Sequence, residues 1–377
     1  MRPCAWQSAH RLLRWADCQA QALLSAPSAS SAVKKPLTPM HTEFINPLNY
    51  PGWDDLVLTA EAYCFFHSSA WIKVLCESYG YKPSFFHIPG HGVIPLLEVN
   101  SFFTHRRAVS LPFSDYCEPL VFRGSSLSGI PQSLIDTAKK AGWKYLEFRG
   151  QSTFPPGVPV WSRYVCHRLR LSKPEDLLSK LHTNTLRNLK KAKASDVNIE
   201  VLDSLSAMRE YYRLHCLTRK RQAVPPQPFS FFRNVHEHIC SKGKGRVILA
   251  RYQGKAVAGA VFFHFGRKAK YKYGASDMNY GRLGASAAVM WEAISRYANQ
   301  GYDSFCFGRT DVDNQGLRRF KLGFGPDEYF LDYRRFDVSK NAFVEGATKN
   351  RHPLPGFMRH VPLPGLKAAG LAYRHFG

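Results

Sequence analysis

Acidic residues are scarce in this chain, with 28 Asp and Glu against 52 Lys and Arg over 377 residues, a formal charge of +24. Such a field attracts polyanions, whether nucleic acid, anionic lipid headgroups or phosphorylated precursors, without choosing among them. No apolar run approaches the roughly 20 residues that a membrane-spanning helix needs. The nine cysteines include no C-x-x-C pair, which argues for reduced, mostly buried thiols in a cytoplasm rather than a disulfide framework or a zinc site. His236 and His238 around Glu237 read as helix surface, so no metal is expected. Also missing are a P-loop lysine motif, a G-x-G-x-x-G turn, H-E-x-x-H and G-x-S-x-G. A covalent-intermediate enzyme is therefore not indicated, and direct transfer between two bound substrates is the chemistry left open.

What is present is a folded, aromatic-rich chain, 45% hydrophobic and 14% aromatic, long enough for two domains of ordinary size. Residues 1–42 are Arg- and then Ser/Ala/Pro-rich. They are expected to be disordered or a mis-assigned extension ahead of Met40, and Arg14 and Asp17 interrupt the one candidate signal-peptide core. From about Phe44 the periodicities predict a helix over 65–80, a hairpin from 83–88 and 93–99, a broken strand over 107–122, a helix over 131–141 and strands at 143–150 and 164–171. Ser172, Pro174 and Glu175 read as a capping box opening one long helix. Its Leu178, Leu181, Leu189 and Ala192 share one face and Lys180, Arg187 and Lys191 the other.

Further on come a strand at 197–202, helices at 204–218 and 228–240, and strands at 246–252, 256–263 and 268–276. A helix over 285–299, strand 303–307, a short helix at 314–323 and a last strand at 329–336 complete the pattern. The stretch Gly142–Phe148 echoes Gly301–Phe307, aromatic to aromatic and Phe to Phe, which points to two copies of one mixed α/β unit. The units are drawn at 43–170 and 171–338, followed by a basic tail at 339–377. Its segment 362–377 reads as a short basic amphipathic helix, either lying on an anionic membrane or packing back on the domain.

The most informative stretch is GLRRFKLGFG at 316–325, with Lys321 between Phe320 and Leu322. That lysine either snorkels or aims at a ligand. Together with TRKRQAVPPQP (218–228), YKYGASD (271–277), FGRT (307–310) and SLPFSDY (110–116), it resembles the FemABX group of peptidyltransferases. These are members of the GNAT-like superfamily that add amino acids to peptidoglycan precursors. The resemblance spans about residues 44–337 and lacks the helical arm of some members, as in compact proteins of this shape that also occur near exopolysaccharide genes.

The fold it implies is α/β, with tandem GNAT-like (acyl-CoA N-acyltransferase) domains, each a mixed, mostly antiparallel sheet flanked by helices. It implies an aminoacyl or acyl transferase, with aminoacyl-tRNA as co-substrate and no bound cofactor. Partners would be tRNA, an anionic envelope precursor and the periphery of the inner membrane, reached from the cytoplasm. Lys321 and Asp115 fall on the catalytic positions. Tyr273, Arg219 and Arg221 fall on or near substrate-contacting ones, and Arg309 and Phe320 are added as substrate-binding candidates. An alternative is acetyl-CoA or another acyl-CoA as donor, held by the loop DMNYGRLGAS (277–286) with Gly281, Arg282 and Gly284. A second alternative is a non-catalytic basic module that binds nucleic acid or membrane.

Overall fold

The computed structural model describes residues 42–122, 129–150, 154–346 and 360–375. The expectation for the first 42 residues falls, save for Thr42 itself, outside them.

The first half runs β1 (Glu43–Ile45), α1 (Trp53–Leu58), α2 (Ser69–Tyr79), β2 (Lys82–Pro83), β3 (Phe85–Ile88), β4 (Gly92–Ile94), β5 (Leu97–Val99), β6 (Arg107–Val109), β7 (Leu120–Val121), α3 (Gln132–Lys140), β8 (Tyr145–Arg149) and β9 (Ser162–Arg170). The second half runs α4 (Pro174–Ser179), α5 (Thr183–Ala194), β10 (Asn198–Leu202), α6 (Leu205–Arg221), α7 (Phe229–His238), β11 (Gly245–Tyr252), β12 (Lys255–Phe265), β13 (Lys268–Ser276), α8 (Ala285–Asn299), β14 (Ser304–Asp311), α9 (Gln315–Leu322), β15 (Asp327–Asp337) and β16 (Ala342–Val344). The tail adds α10 (Leu363–Gly370) and a 3-10 turn at Leu371–His375.

One sheet of 12 strands passes through both halves in the order β10-β11-β12-β13-β14-β9-β15-β8-β6-β5-β2, with β16 beside β15; β1-β3-β4-β7 form a smaller sheet. The echo between Gly142–Phe148 and Gly301–Phe307 is topological as well as sequential. β8 lies parallel to β6 and antiparallel to β15, and β14 lies parallel to β13 and antiparallel to β9. Each half thus lends a long strand to the other. β9, read from sequence as closing the first unit, sits between β14 and β15 of the second.

Two other expectations change. The hairpin stops at Ile94, because Pro95 cannot donate a ladder hydrogen bond; β5 then pairs with β2 and β6 in the large sheet. The long helix opened by Ser172 is two helices, and its N-cap is Lys173 with no side-chain cap. Between them Leu181 is buried, and the His182 N–H donates to the Gly323 carbonyl at 3.0 Å, which holds that residue extended. Leu178 faces outward as a result.

The large sheet is covered on one face by α8, whose Ala287, Met290, Ile294 and Tyr297 are buried as their spacing predicts. On the other face α6 and α7 pack with α2. The tail helix forms and buries Leu366, and a Cβ at Gly370 would collide with the Pro226 carbonyl oxygen. Among the described residues, no helix is long and apolar enough to cross a membrane.

Candidate active site

The SLPFSDY loop is held in a shape its sequence does not favour. Leu111 and Phe113 both have positive φ, 57° and 58°, a conformation that costs a non-glycine residue on the order of 1–3 kcal/mol and persists only where neighbours impose it. They do. Arg149 on β8 donates to the Leu111 and Ser114 carbonyls, and the Trp71 indole N–H donates to Ser114 Oγ at 2.9 Å. The loop then presses Asp115 against the second half.

Asp115 is buried between two lysines of β13, with Oδ2 at 3.1 Å from Lys270 Nζ and Oδ1 at 3.3 Å from Lys272 Nζ. Lys272 also donates to the Phe113 carbonyl at 2.6 Å. It is the extra residue of a β-bulge, since Val261 pairs with Tyr273 and Phe262 with Tyr271. Burial would raise the Asp115 pKa, but Lys272 and then Lys270 outweigh it and hold the carboxyl well below its usual range. Burial lowers the Lys272 ammonium to about 8. For Lys270 the Cys306 sulfur and Asp115 overcome burial and push it up. A carboxylate so stabilised is a poor proton acceptor at neutral pH. Asp115 positions the lysines and the loop more readily than it deprotonates an amine.

Lys321, on α9, is 2% exposed and donates to the carbonyls of Gly308 and Arg309 at 2.9 and 3.1 Å. It does not snorkel. The carbonyls it meets belong to a second bulge, where β14 spends three residues from Cys306 to Arg309 while β9 spends two from Arg168 to Cys166. Gly308 has φ of 70°, and a Cβ there would stand 2.8 Å from Asp115 Oδ2. Lys321 and Asp115, from opposite halves, therefore meet on two sides of one glycine. Burial lowers the Lys321 ammonium to about 8, which leaves it mostly cationic at neutral pH.

Beside this arrangement lies a cavity of about 490 Å³ whose wall includes Lys270, Cys306, Tyr116, Cys64, Arg168 and Tyr329. Lys270 and Tyr116, one contacting Asp115 and the other following it in sequence, connect the cavity to the ion cluster.

Residues 179–331 match the acetyltransferase (GNAT) domain family. The chain has a GNAT-like acyltransferase fold of the FemX kind. Its fold is similar to that of FemX (12% identity over 78% of this chain and 97% of that one, TM-score 0.57). It is also similar to a conserved protein of unknown function from Bacteroides thetaiotaomicron (13% identity, 78% and 99% covered, TM-score 0.53). A third likeness is a tandem GNAT protein from the clavulanic acid biosynthesis pathway (12% identity, 79% and 99% covered, TM-score 0.50). Among curated proteins no sequence matches this chain.

The remaining candidates divide. Arg309 lies over the Tyr164 ring at 4.4 Å and donates to Tyr333 Oη at 2.7 Å, while Tyr333 donates to the Asp115 carbonyl at 2.5 Å. Arg309 is an exposed residue at the edge of the ion cluster. Tyr273 is packed among Phe231, Phe232 and His215, and its buried hydroxyl has no hydrogen-bond partner among the described residues. Arg219 donates to the Pro225 carbonyl and to the Tyr373 hydroxyl, and so fastens the tail over the proline-rich loop. Arg221 is exposed at the end of α6. Phe320 is half-buried and packs edge-on to Phe324 against the core beneath α8.

In the loop before α8, Arg282 is exposed, and a Cβ at Gly281 would meet only the Met278 methyl, at 4.0 Å. Gly284 caps α8 with φ of 71°, and a Cβ there would collide with the Asn188 carbonyl oxygen. Gly284→Ala is expected to cost at least about 2 kcal/mol in urea unfolding, and Gly281→Ala within about 0.5 kcal/mol of nothing. Equal stabilities would show that α5 does not pin this loop.

Sequence reasoning missed Lys270 and Lys272, although lysines at 268, 270 and 272 in an otherwise buried strand were a visible signal. It also missed the grouping of Cys64, His67 and Cys117, whose potential ligand atoms lie within 4.8 Å of one another. Cys64-x-x-His67 was the cue. An ion would have to compete there with the Cys64 amide, which already donates to His67 Nδ1 at 3.1 Å.

Proposed function

We propose that this protein moves an acyl group, preferably the aminoacyl group of a charged tRNA, onto an amine of a cell-envelope precursor. The observation that carries this reading is the meeting of Asp115, from the first half, with Lys321 across Gly308, the last two lying within the matched GNAT domain. Transfer of an ester-bound acyl group to an amine builds negative charge on the carbonyl oxygen. A preorganised ammonium in a dry site suits that charge. Lys321, Lys270 and the side chain of Lys272 are buried cations within reach of such chemistry, and Arg309 can orient an anionic substrate at the rim. The exposed basic residues of α5, Arg187 and Lys191 among them, fit a phosphate backbone approaching the loop before α8.

A second reading, a coenzyme A-dependent N-acyltransferase acting in envelope or exopolysaccharide synthesis, draws support from the loop that leads through Gly284 into α8. A helix start of this kind accommodates a pyrophosphate. The two separate in one assay. Purified protein is offered radiolabelled charged tRNA or acetyl-CoA together with an amine-bearing, nucleotide-linked envelope precursor, with and without ribonuclease. Transfer abolished by ribonuclease supports the first reading. Transfer that depends on acetyl-CoA and survives ribonuclease selects the second. Salt-dependent nucleic-acid or vesicle binding with no transfer from either donor leaves a non-catalytic module.

A further inference from the structure

Cys64 carries the makings of a nucleophile that the direct-transfer chemistry does not use. Its Sγ lies 3.3 Å from His67 Nδ1. The other ring nitrogen, Nε2, sits 2.8 Å from the Glu118 carbonyl oxygen, which can only accept, so Nε2 bears the proton and donates. That bond leaves the Nδ1 lone pair facing the sulfur and the Cys64 amide. This is the order of parts an activated thiol requires: a nucleophile, a base in hydrogen-bond reach and a third group that orients the base.

The local fold imposes it. Cys64 is extended at the entry to the 3-10 turn Phe65–His67, and the turn brings the imidazole back over the sulfur. The thiol's further neighbours are the Tyr116 carbonyl oxygen, at 3.7 Å, and Cys117. Cys64 is only 3% exposed, yet it lines the cavity of about 490 Å³ beside the ion cluster, within the size range of small-molecule sites. Lys270 shares that wall and presents a cation to whatever enters.

We propose that Cys64 accepts the acyl group as a thioester before the amine receives it, which rests on the transferase reading above. In the first step Sγ attacks the carbonyl carbon of the donor. The Sγ–C bond forms, the bond from that carbon to the tRNA ribose oxygen or the coenzyme A sulfur breaks, and the thiol proton passes through His67 Nδ1 to the departing atom. In the second step the acceptor nitrogen attacks the thioester carbon, the C–N bond forms and the C–S bond breaks. A proton from the amine returns through His67 to the sulfur. Nothing is oxidised or reduced. The direction of the charge effects agrees. Burial works against a Cys64 thiolate, yet the Cys117 hydrogen bond and His67 outweigh it and lower the thiol's pKa, while the His67 imidazole is raised by its sulfur partner against burial.

The full chain is tested in two independent ways. In the first, brief iodoacetamide treatment at pH 6 is followed by peptide mapping. Cys64 is expected to be alkylated at least tenfold faster than Cys76 or Cys240, and His67→Gln to remove that advantage. Alkylation of Cys64 no faster than these two overturns the proposal whether or not any donor has been found. In the second, protein is incubated with the productive donor and no amine, then acid-quenched for mass analysis. A hydroxylamine-labile acyl adduct on the Cys64 peptide is expected, with at least a 100-fold loss of transfer in Cys64→Ser. A folded Cys64→Ala variant that transfers at the wild-type rate overturns the thioester and leaves the transferase standing. Wild-type protein inert toward both donors removes the transferase reading instead.

Discussion

Lys321→Met is expected to lower acyl transfer by 10²–10³-fold, the loss typical of one preorganised donor to a developing oxyanion, while circular dichroism remains native. The methionine fills much of the same volume, so packing around α9 survives, but the Gly308 and Arg309 carbonyls lose their donor. A structural role alone predicts a different result: lower stability, from one or two unsatisfied carbonyls at about 1–3 kcal/mol each, with turnover per folded molecule unchanged.

The pH dependence distinguishes the two further. With the ammonium lowered to about 8 by burial, transfer that needs the cation declines as pH rises through about 8. Stability moves the other way. Lysine in the unfolded chain titrates near 10.4, so between about 8 and 10.4 the unfolded state binds more protons, and this group makes unfolding harder as pH rises. Lys321→Met abolishes both trends. A wild-type rate that holds level from pH 7 to 9.5, with acceptor amine protonation accounted for, would remove the charged lysine from the mechanism.

Asp115→Asn should be the most destabilising of the single changes at the site, by about 3–5 kcal/mol. It leaves two buried ammonium groups facing each other with no counter-charge. Replacing the whole cluster (Asp115→Asn with Lys270→Met and Lys272→Met) is expected to restore most of that stability without restoring transfer. The acid limb provides an independent reading. Because the folded carboxyl is held well below its ordinary value, its contribution is fully present above the unfolded pKa near 3.9 and is lost as pH falls beneath it. Urea unfolding of the wild type should therefore weaken more steeply below pH 4 than that of Asp115→Asn. Parallel acid limbs would mean that the carboxylate is not paired as described.

Much of the architecture was legible because periodicity reports burial. The spacing in α8 identified its inward face, and the runs at 246–252, 256–263 and 268–276 became β11, β12 and β13, the last unshifted and the others moved by at most two residues at either end. The repeated Gly-aromatic-x-x-x-x-Phe pattern marked β8 and β14 as equivalents. What escaped the sequence was partnership. Nothing local tells β9 that its neighbours are β14 and β15, or tells Asp115 that its counter-ions lie more than 150 residues ahead. Lys321 was legible as unusual but not as a donor to backbone carbonyls, since the bulge that exposes them is set by a register between distant strands. The hydrogen bond from Arg219 to Tyr373 of the tail was not legible either, since the two lie far apart in the chain. Cys64 and His67 lay three residues apart in plain view, but only the 3-10 turn brings the ring over the sulfur.

The exchange of long strands between the halves has a consequence for biosynthesis. While the ribosome is still making the second half, β8 and β9 have emerged with open hydrogen-bonding edges, and the strand that closes both, β15, arrives more than 150 residues later. Ordering these elements thus waits on closure of a very long loop, a slow step that leaves sticky edges available to other nascent chains. A gene split between residues 170 and 171 should accordingly yield two insoluble fragments, each of which recovers solubility when the other is translated in the same cell.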